Sequence, residues 1–206
     1  MNIDRKTLLA LDVETTGPDP FVHQILAASI VPFDLNAQAV TVYVRHEEPL
    51  NWTEPARNFF LQYRTEWQGS AVRPEHAAKV ISDYLLRLNG PGEIYFVGHN
   101  IGFDLSFLKR LWRGRAIPRI SHRTIDTHTM LRVLAWMGRI PESACTSSGA
   151  FEYFGVAPDA RTRHTALGDA IATRDLFLRL MDEFGDALHC AAPLPFAVES
   201  RCIGRR

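Results

Sequence analysis

The stretch Thr7-Leu8-Leu9-Ala10-Leu11-Asp12-Val13-Glu14-Thr15-Thr16-Gly17-Pro18 decides how the rest of the chain is read. Thr7 to Val13 is an apolar run and Thr16-Gly17-Pro18 is a turn signal, so the run reads as a buried strand. It ends in acids. Residues two apart on a strand project from one face, so Asp12 and Glu14 point the same way with Val13 behind them. Two like charges that close repel, and a cation between them is the usual remedy. An isolated Asp-x-Glu often ends a strand at a solvent edge with no ligand. Here it closes the most apolar strand of the chain, beside a turn whose backbone lets a ligand approach closely.

Working outward, Ile25 to Val31 and Ala39 to Val44 read as two further strands joined by an Asp34-Leu35-Asn36 turn. A short helix is expected near Ala56 to Tyr63, within a region from Glu47 to Gly69 that carries Trp52 and Trp67. Pro74 suits the first turn of a helix whose Ala77, Val80, Ile81, Tyr84, Leu85 and Leu88 recur at helical spacing, and Asn89-Gly90-Pro91-Gly92 ends it. Ile94 to Gly98 is a fourth strand, and Leu105, Leu108 and Trp112 mark the helix after it. Thr127 to Trp136 is a helix that Asp126 caps, and Ser143 to Phe154 one that Gly155 closes. The longest runs from Ala166 to Phe184, with Ala170, Ile171, Phe177, Leu178 and Met181 assigned to one apolar face. Hairpin strands are antiparallel and helix crossovers make parallel neighbours, so this order predicts an α/β sandwich with a mixed sheet.

Composition narrows the setting. At 206 residues with 46% hydrophobic residues and 23 basic against 23 acidic side chains, the chain is too apolar and too neutral for disorder. Net charge names no partner, so any affinity for nucleic acid must come from a local patch. One domain is expected over residues 1–185, then a loosely held tail over 186–206 that is Pro-rich and finally basic. Arg5-Lys6 are followed only by Leu8 to Leu11 before Asp12, too short for a secretory signal, and no run approaches the roughly 20 apolar residues of a membrane span. Cys145, Cys190 and Cys202 are odd in number and far apart, which favours reduced thiols in a cytoplasmic protein.

Two more clusters carry chemistry. In Gly98-His99-Asn100-Ile101-Gly102-Phe103-Asp104 a strand gives way to a helix, placing Asp104 near a helix N-terminus that favours its ionised form. In His164-Thr165-Ala166-Leu167-Gly168-Asp169 the acid falls in the first turn of the longest helix, with His164 on the loop leading in. The neighbours of Asp169 at three and four residues are Thr165, Ala166, Ala172 and Thr173, all small, which leaves room above the carboxylate. Four acids and no cysteine ligand select a hard cation, Mg²⁺ or Mn²⁺. Acid-lined pairs of such ions serve phosphoryl transfer, and a histidine beside the attacking water is a suitable general base.

These three motifs, Leu11 to Gly17, His99 to Asp104 and His164 to Ala170, in this order and spacing, resemble those of the DnaQ-like DEDDh 3′→5′ exonucleases over about residues 7 to 182. That family includes polymerase proofreading subunits, RNase T and oligoribonuclease. The resemblance implies a ribonuclease H-like three-layer sandwich, a five-stranded mixed sheet flanked by helices. It also implies two Mg²⁺ or Mn²⁺ ions, with Asp12 bridging both, Glu14 and Asp169 holding the one that activates water, and Asp104 holding the second. His164 would be the general base. Terminal phosphodiesters of DNA or RNA would be hydrolysed from the 3′ end, with a single strand as the expected substrate, releasing 5′-mononucleotides. Thr15, Thr16, Gly17, His99, Asn100, Phe103 and Arg163 are the candidate substrate-binding residues, and a homodimer or a polymerase-associated subunit is a possible assembly.

The sequence departs from the family where Asn51 to Asn58 replaces a small Gly-Ile-Ser or Gly-Ile-Thr segment, and at Pro18. A basic stretch (Lys109, Arg110, Arg113, Arg115, Arg119, Arg123) with Trp112 interleaved offers phosphate contacts and a stacking ring, unless Trp112 is core. Arg161 and Arg163 stand nearer the expected reaction centre. The alternatives are a silent nucleic-acid-binding or interaction subunit and a hydrolase of short oligonucleotides.

Overall fold

The computed structural model describes residues 8–90, 92–113 and 118–189. Its sheet has five strands in the order β3-β2-β1-β4-β5. β1 (Leu8–Thr15) is central. It pairs antiparallel with β2 (Ile25–Pro32), which pairs antiparallel with β3 (Val40–Tyr43). On its other side β1 runs parallel to β4 (Tyr95–Gly98), and β4 runs parallel to β5 (Ile125–Asp126). The mixed α/β sandwich expected from the sequence is the observed one.

Alternation along β1 builds the layers. Leu9, Leu11 and Val13 join a core with Ala77, Ile81 and Leu85 of α2 (Pro74–Asn89) and Leu105 and Leu108 of α3 (Ile101–Leu111). Leu8 and Ala10 face the other way, packing with Val31, Val97 and, from α6 (Ala166–His189), Ala170 and Phe177. Asp12 and Glu14 continue this second face beyond the apolar pair. Ser29 and Ala27 stand opposite them on β2, fully buried and small, so the acids have space above them. A third core joins α6 to α4 (Thr127–Trp136) and α5 (Ser147–Tyr153) through Leu131, Leu134, Phe151, Leu176 and Leu180.

The Asp34 turn forms as expected, its Oδ1 accepting from the Asn36 backbone N–H at 3.0 Å. Asp126 caps α4, accepting from the His128 N–H at 2.9 Å, and Gly155 follows α5 with φ 66°.

Other expectations need correction. The predicted short helix at Ala56 to Tyr63 is α1 (Glu54–Ser70), where Pro55 starts the helix and Tyr63 anchors it. The predicted helix from Ser143 to Phe154 is a 3₁₀ turn (Glu142–Cys145) and the shorter α5, because Thr146 turns extended and its hydroxyl caps a fresh start at Gly149. β5 is only two residues long, too short to leave a periodic signal. On α6 the assigned apolar face holds at Ala170 and Phe177 and fails at the other three: Ile171, Leu178 and Met181 are 37, 40 and 50% exposed, while Ala166, Ala170, Thr173, Phe177 and Leu180 are buried. Residues 166, 170, 173, 177 and 180 keep the helical repeat, and the misassigned three lie off it. Trp112 is core, 2% exposed, its indole N–H donating to Ser82 Oγ at 2.9 Å across to α2.

Thr7, Pro91, Arg115, Cys190, Cys202 and the tail beyond residue 189 lie outside the described residues. Cys145 is a buried free thiol. Among the described residues, no helix is long and apolar enough to cross a membrane.

Candidate active site

Three elements carry the predicted acids to one place. β1 ends at the sheet's centre with Asp12 and Glu14, and α6 begins above that end with Asp169. Carboxylate oxygens of Asp12, Glu14 and Asp169 all lie within 4.8 Å of one another, a separation one cation can span. Asp104, in the first turn of α3, is 4% exposed, and its Oδ1 accepts from the Val13 backbone N–H at 3.0 Å. It is tied to the strand that bears the other two acids, outside the three-carboxylate group.

The electrostatics of the cluster favour a cation. Burial, then the neighbouring Asp104, Glu14 and Asp169 carboxylates, hold Asp12 well above the usual carboxylate range. Burial and Asp169 do the same to Glu14. Burial raises Asp104 against the opposing hydrogen bond from Val13, and raises Asp169 against the pull of Arg163. Carboxylates crowded this tightly between a sheet and a helix, with no sulfur donor among them, suit a hard divalent cation.

His164 stands on the loop into α6 with φ 61°, a left-handed conformation that histidine adopts more readily than most residues. Its backbone N–H faces Asp169 Oδ1 at 3.4 Å. Its ring stacks on Phe59 of α1, centroids 4.0 Å apart and planes 20° off parallel. Burial, then Arg163, lowers its pKa below the ordinary imidazole value, so the ring is neutral and able to accept a proton near pH 7. The loop is fixed by Thr165, whose Oγ1 accepts from the Gly168 N–H at 3.2 Å as the cap of α6. Gly168 itself admits no side chain, since a Cβ there would lie 2.1 Å from the Thr162 carbonyl oxygen.

The other predicted contacts divide. Thr16 is fully buried, and its hydroxyl accepts from the Gln24 N–H at 2.9 Å, which closes the β1–β2 end. Gly17 lies under the His23 ring, where a Cβ would approach to 2.4 Å. Thr15 Oγ1 donates to the Gly17 carbonyl at 2.8 Å. His99 lies edge-on to His128, ring centroids 5.3 Å apart, with Nδ1 3.2 Å from Thr127 Oγ1. Asn100 is left-handed at the start of α3 and donates its N–H to Asp126 Oδ1 at 3.0 Å. Phe103 packs on Phe107 at the margin of the α2–α3 core. Arg163 forms an ion pair with Asp169. Of the basic stretch, Arg110 is spent on the Pro20 carbonyl.

Sequence reasoning missed Phe59, Ser147 and Ser148. The first reaches His164 from α1, and the two hydroxyls hold Arg163 from the first turn of α5. None carries a local signal, because each acts across a tertiary contact.

No family model matches the sequence, and no curated protein matches it. Solved structures do match its fold. E. coli exonuclease I, in a zinc-bound complex with single-stranded DNA, aligns with a TM-score of 0.67 at 15% identity over 87% of this chain and 42% of its own. A second exonuclease I structure gives 0.66 at 15% identity over 91% and 46%. Cell-death related nuclease 4 gives 0.66 at 19% identity over 85% and 64%. This chain thus spans less than half the length of exonuclease I and under two thirds of the other nuclease. Over these spans the chain shares the fold of these nucleases, the five-stranded α/β sandwich of ribonuclease H-like type expected from the sequence.

Proposed function

We propose that the chain is a divalent-metal-dependent 3′→5′ exonuclease that removes 5′-mononucleotides from single-stranded DNA or RNA. The observation that carries this reading is the gathering of Asp12, Glu14 and Asp169 within 4.8 Å, beside His164, in a fold shared with exonucleases. The ssDNA-bound state of exonuclease I supports a nucleic-acid substrate.

Asp12, Glu14 and Asp169 would hold one Mg²⁺ or Mn²⁺, and Asp12 with Asp104 a second. Such a pair, when bound, lowers the pKa of the attacking water and offsets the charge that builds at phosphorus. The side chains do the rest. Asp104, clamped to Val13, keeps α3 and β1 in register so that the acids face one centre. His164 takes the proton of the attacking water at a ring nitrogen, and stacking on Phe59 limits the planes that ring can adopt.

A substrate panel tests the proposal: labelled single- and double-stranded DNA, RNA and a dinucleotide, each with Mg²⁺, Mn²⁺ or EDTA. Mononucleotides released one at a time from the 3′ end, abolished by EDTA and by Asp12→Ala, are expected. His164→Ala should slow release by about 10²–10⁴-fold. Folded Asp12→Ala protein that keeps full activity would remove the acids from the mechanism. Cleavage of the dinucleotide alone would favour a short-oligonucleotide hydrolase.

A further inference from the structure

Arg163 makes contacts that the proposed chemistry does not use. Its guanidinium Nη1 donates to Asp169 Oδ2 in an ion pair whose side chains are 18 and 12% exposed. The other side of the guanidinium is seated on α5. Nη2 donates to Ser148 Oγ at 3.0 Å and lies 3.3 Å from Ser147 Oγ, and Cζ stands 5.2 Å from the centre of the Phe151 ring. Arginine keeps its charge at every physiological pH. A fixed positive charge is therefore held at the carboxylate cluster by directed contacts from a single short helix.

That seat is neutral. Two hydroxyls and a ring face orient the guanidinium without cancelling its charge, which is left to act on the acids, with Asp169 in direct contact and Glu14 and Asp12 within its field. Asp169 is also one of the three acids close enough to share a cation. Its Oδ2 is taken by Arg163, and its Oδ1 receives only the 3.4 Å approach of the His164 N–H.

We infer that Arg163 is a resident counter-cation of the metal site, holding Asp169 when no divalent ion is bound and competing with that ion for the same carboxylate. This rests on reading Asp12, Glu14 and Asp169 as a metal site. Two cations drawn to one carboxylate repel at contact range, and at a protein-like dielectric this changes affinity by about ten-fold or more. Arg163 is a positioning residue here. It keeps the acids together without an ion and sets how tightly an ion must bind to displace it.

Calorimetric titration of the full chain with Mn²⁺ tests this, using the wild type, Arg163→Met and Ser148→Ala. Arg163→Met keeps an unbranched apolar stem and removes the guanidinium with its charge, and should bind Mn²⁺ about ten-fold more tightly. Ser148→Ala keeps the ion pair and loosens its seat, and should tighten Mn²⁺ by a smaller factor. In EDTA, Arg163→Met should melt below the wild type. Equal or weaker Mn²⁺ binding by folded Arg163→Met, with wild-type binding intact, overturns the competition and leaves the metal site standing. If that variant does not fold, unchanged affinity in Ser148→Ala overturns it. No Mn²⁺ binding by any of the three overturns both readings.

Discussion

His99 illustrates how one side chain ties the site to stability. Burial, then the neighbouring His128, lowers its pKa to about 4, well below the ordinary imidazole value of 6.5. The folded protein therefore keeps this ring neutral between those values, while the unfolded chain protonates it. More protons bind to the unfolded state in that window, so stability falls as pH drops from about 6.5 to 4, by about 3 kcal/mol for this group. The raised carboxylates of the site act in the opposite sense. Comparing wild type with His99→Gln in urea at pH 7 and pH 4.5 isolates the imidazole. The variant should lose less stability on acidification, and parallel losses would show that His99 is not held neutral.

At the scale of elements, the start of α6 carries the tightest constraint. Alanine normally improves on glycine inside a helix by roughly 1 kcal/mol. At Gly168 the expected sign reverses, because the added Cβ would meet the Thr162 carbonyl at 2.1 Å. Gly168→Ala should destabilise by about 1–3 kcal/mol in urea unfolding. It should cost activity as well, since the displaced loop carries His164 and the displaced helix Asp169. A variant as stable as wild type would mean that the loop yields freely. The same junction shows why the α6 face was misread. Ile171, Leu178 and Met181 are apolar enough to suggest a core stripe, yet the side that meets β1 and β2 is lined by Ala166, Ala170 and Thr173. Close approach to the sheet selects small residues there, and hydrophobicity alone does not report it.

For the whole molecule, the proposed site is a place where stability would yield to function. Asp12, Glu14, Asp104 and Asp169 are brought together at the end of the central strand, and burial with mutual repulsion disfavours their charged forms. Asp12→Asn keeps the shape and removes one of those charges. In EDTA it should melt a few degrees above the wild type, the shift expected for about 1 kcal/mol in a domain of this size. In saturating Mn²⁺ the order should invert, because the wild type gains binding energy that the variant lacks. Identical melting in both conditions would mean that the acids do not strain the fold.

Four of the five strands, the Asp126 cap, the Gly155 stop and the three acidic motifs were legible in the sequence because each is set by local chemistry: alternation, turn residues and charges at fixed offsets. Tertiary structure alone decided what those residues meet. It set Trp112 into the α2 core, gave β5 its two-residue place beside β4, and turned α6 by its small side chains. It also stacked Phe59 on His164 and seated Arg163 between α5 and Asp169. Those contacts join residues on different elements or depend on which face of an element lands on the sheet, and no local periodicity encodes either.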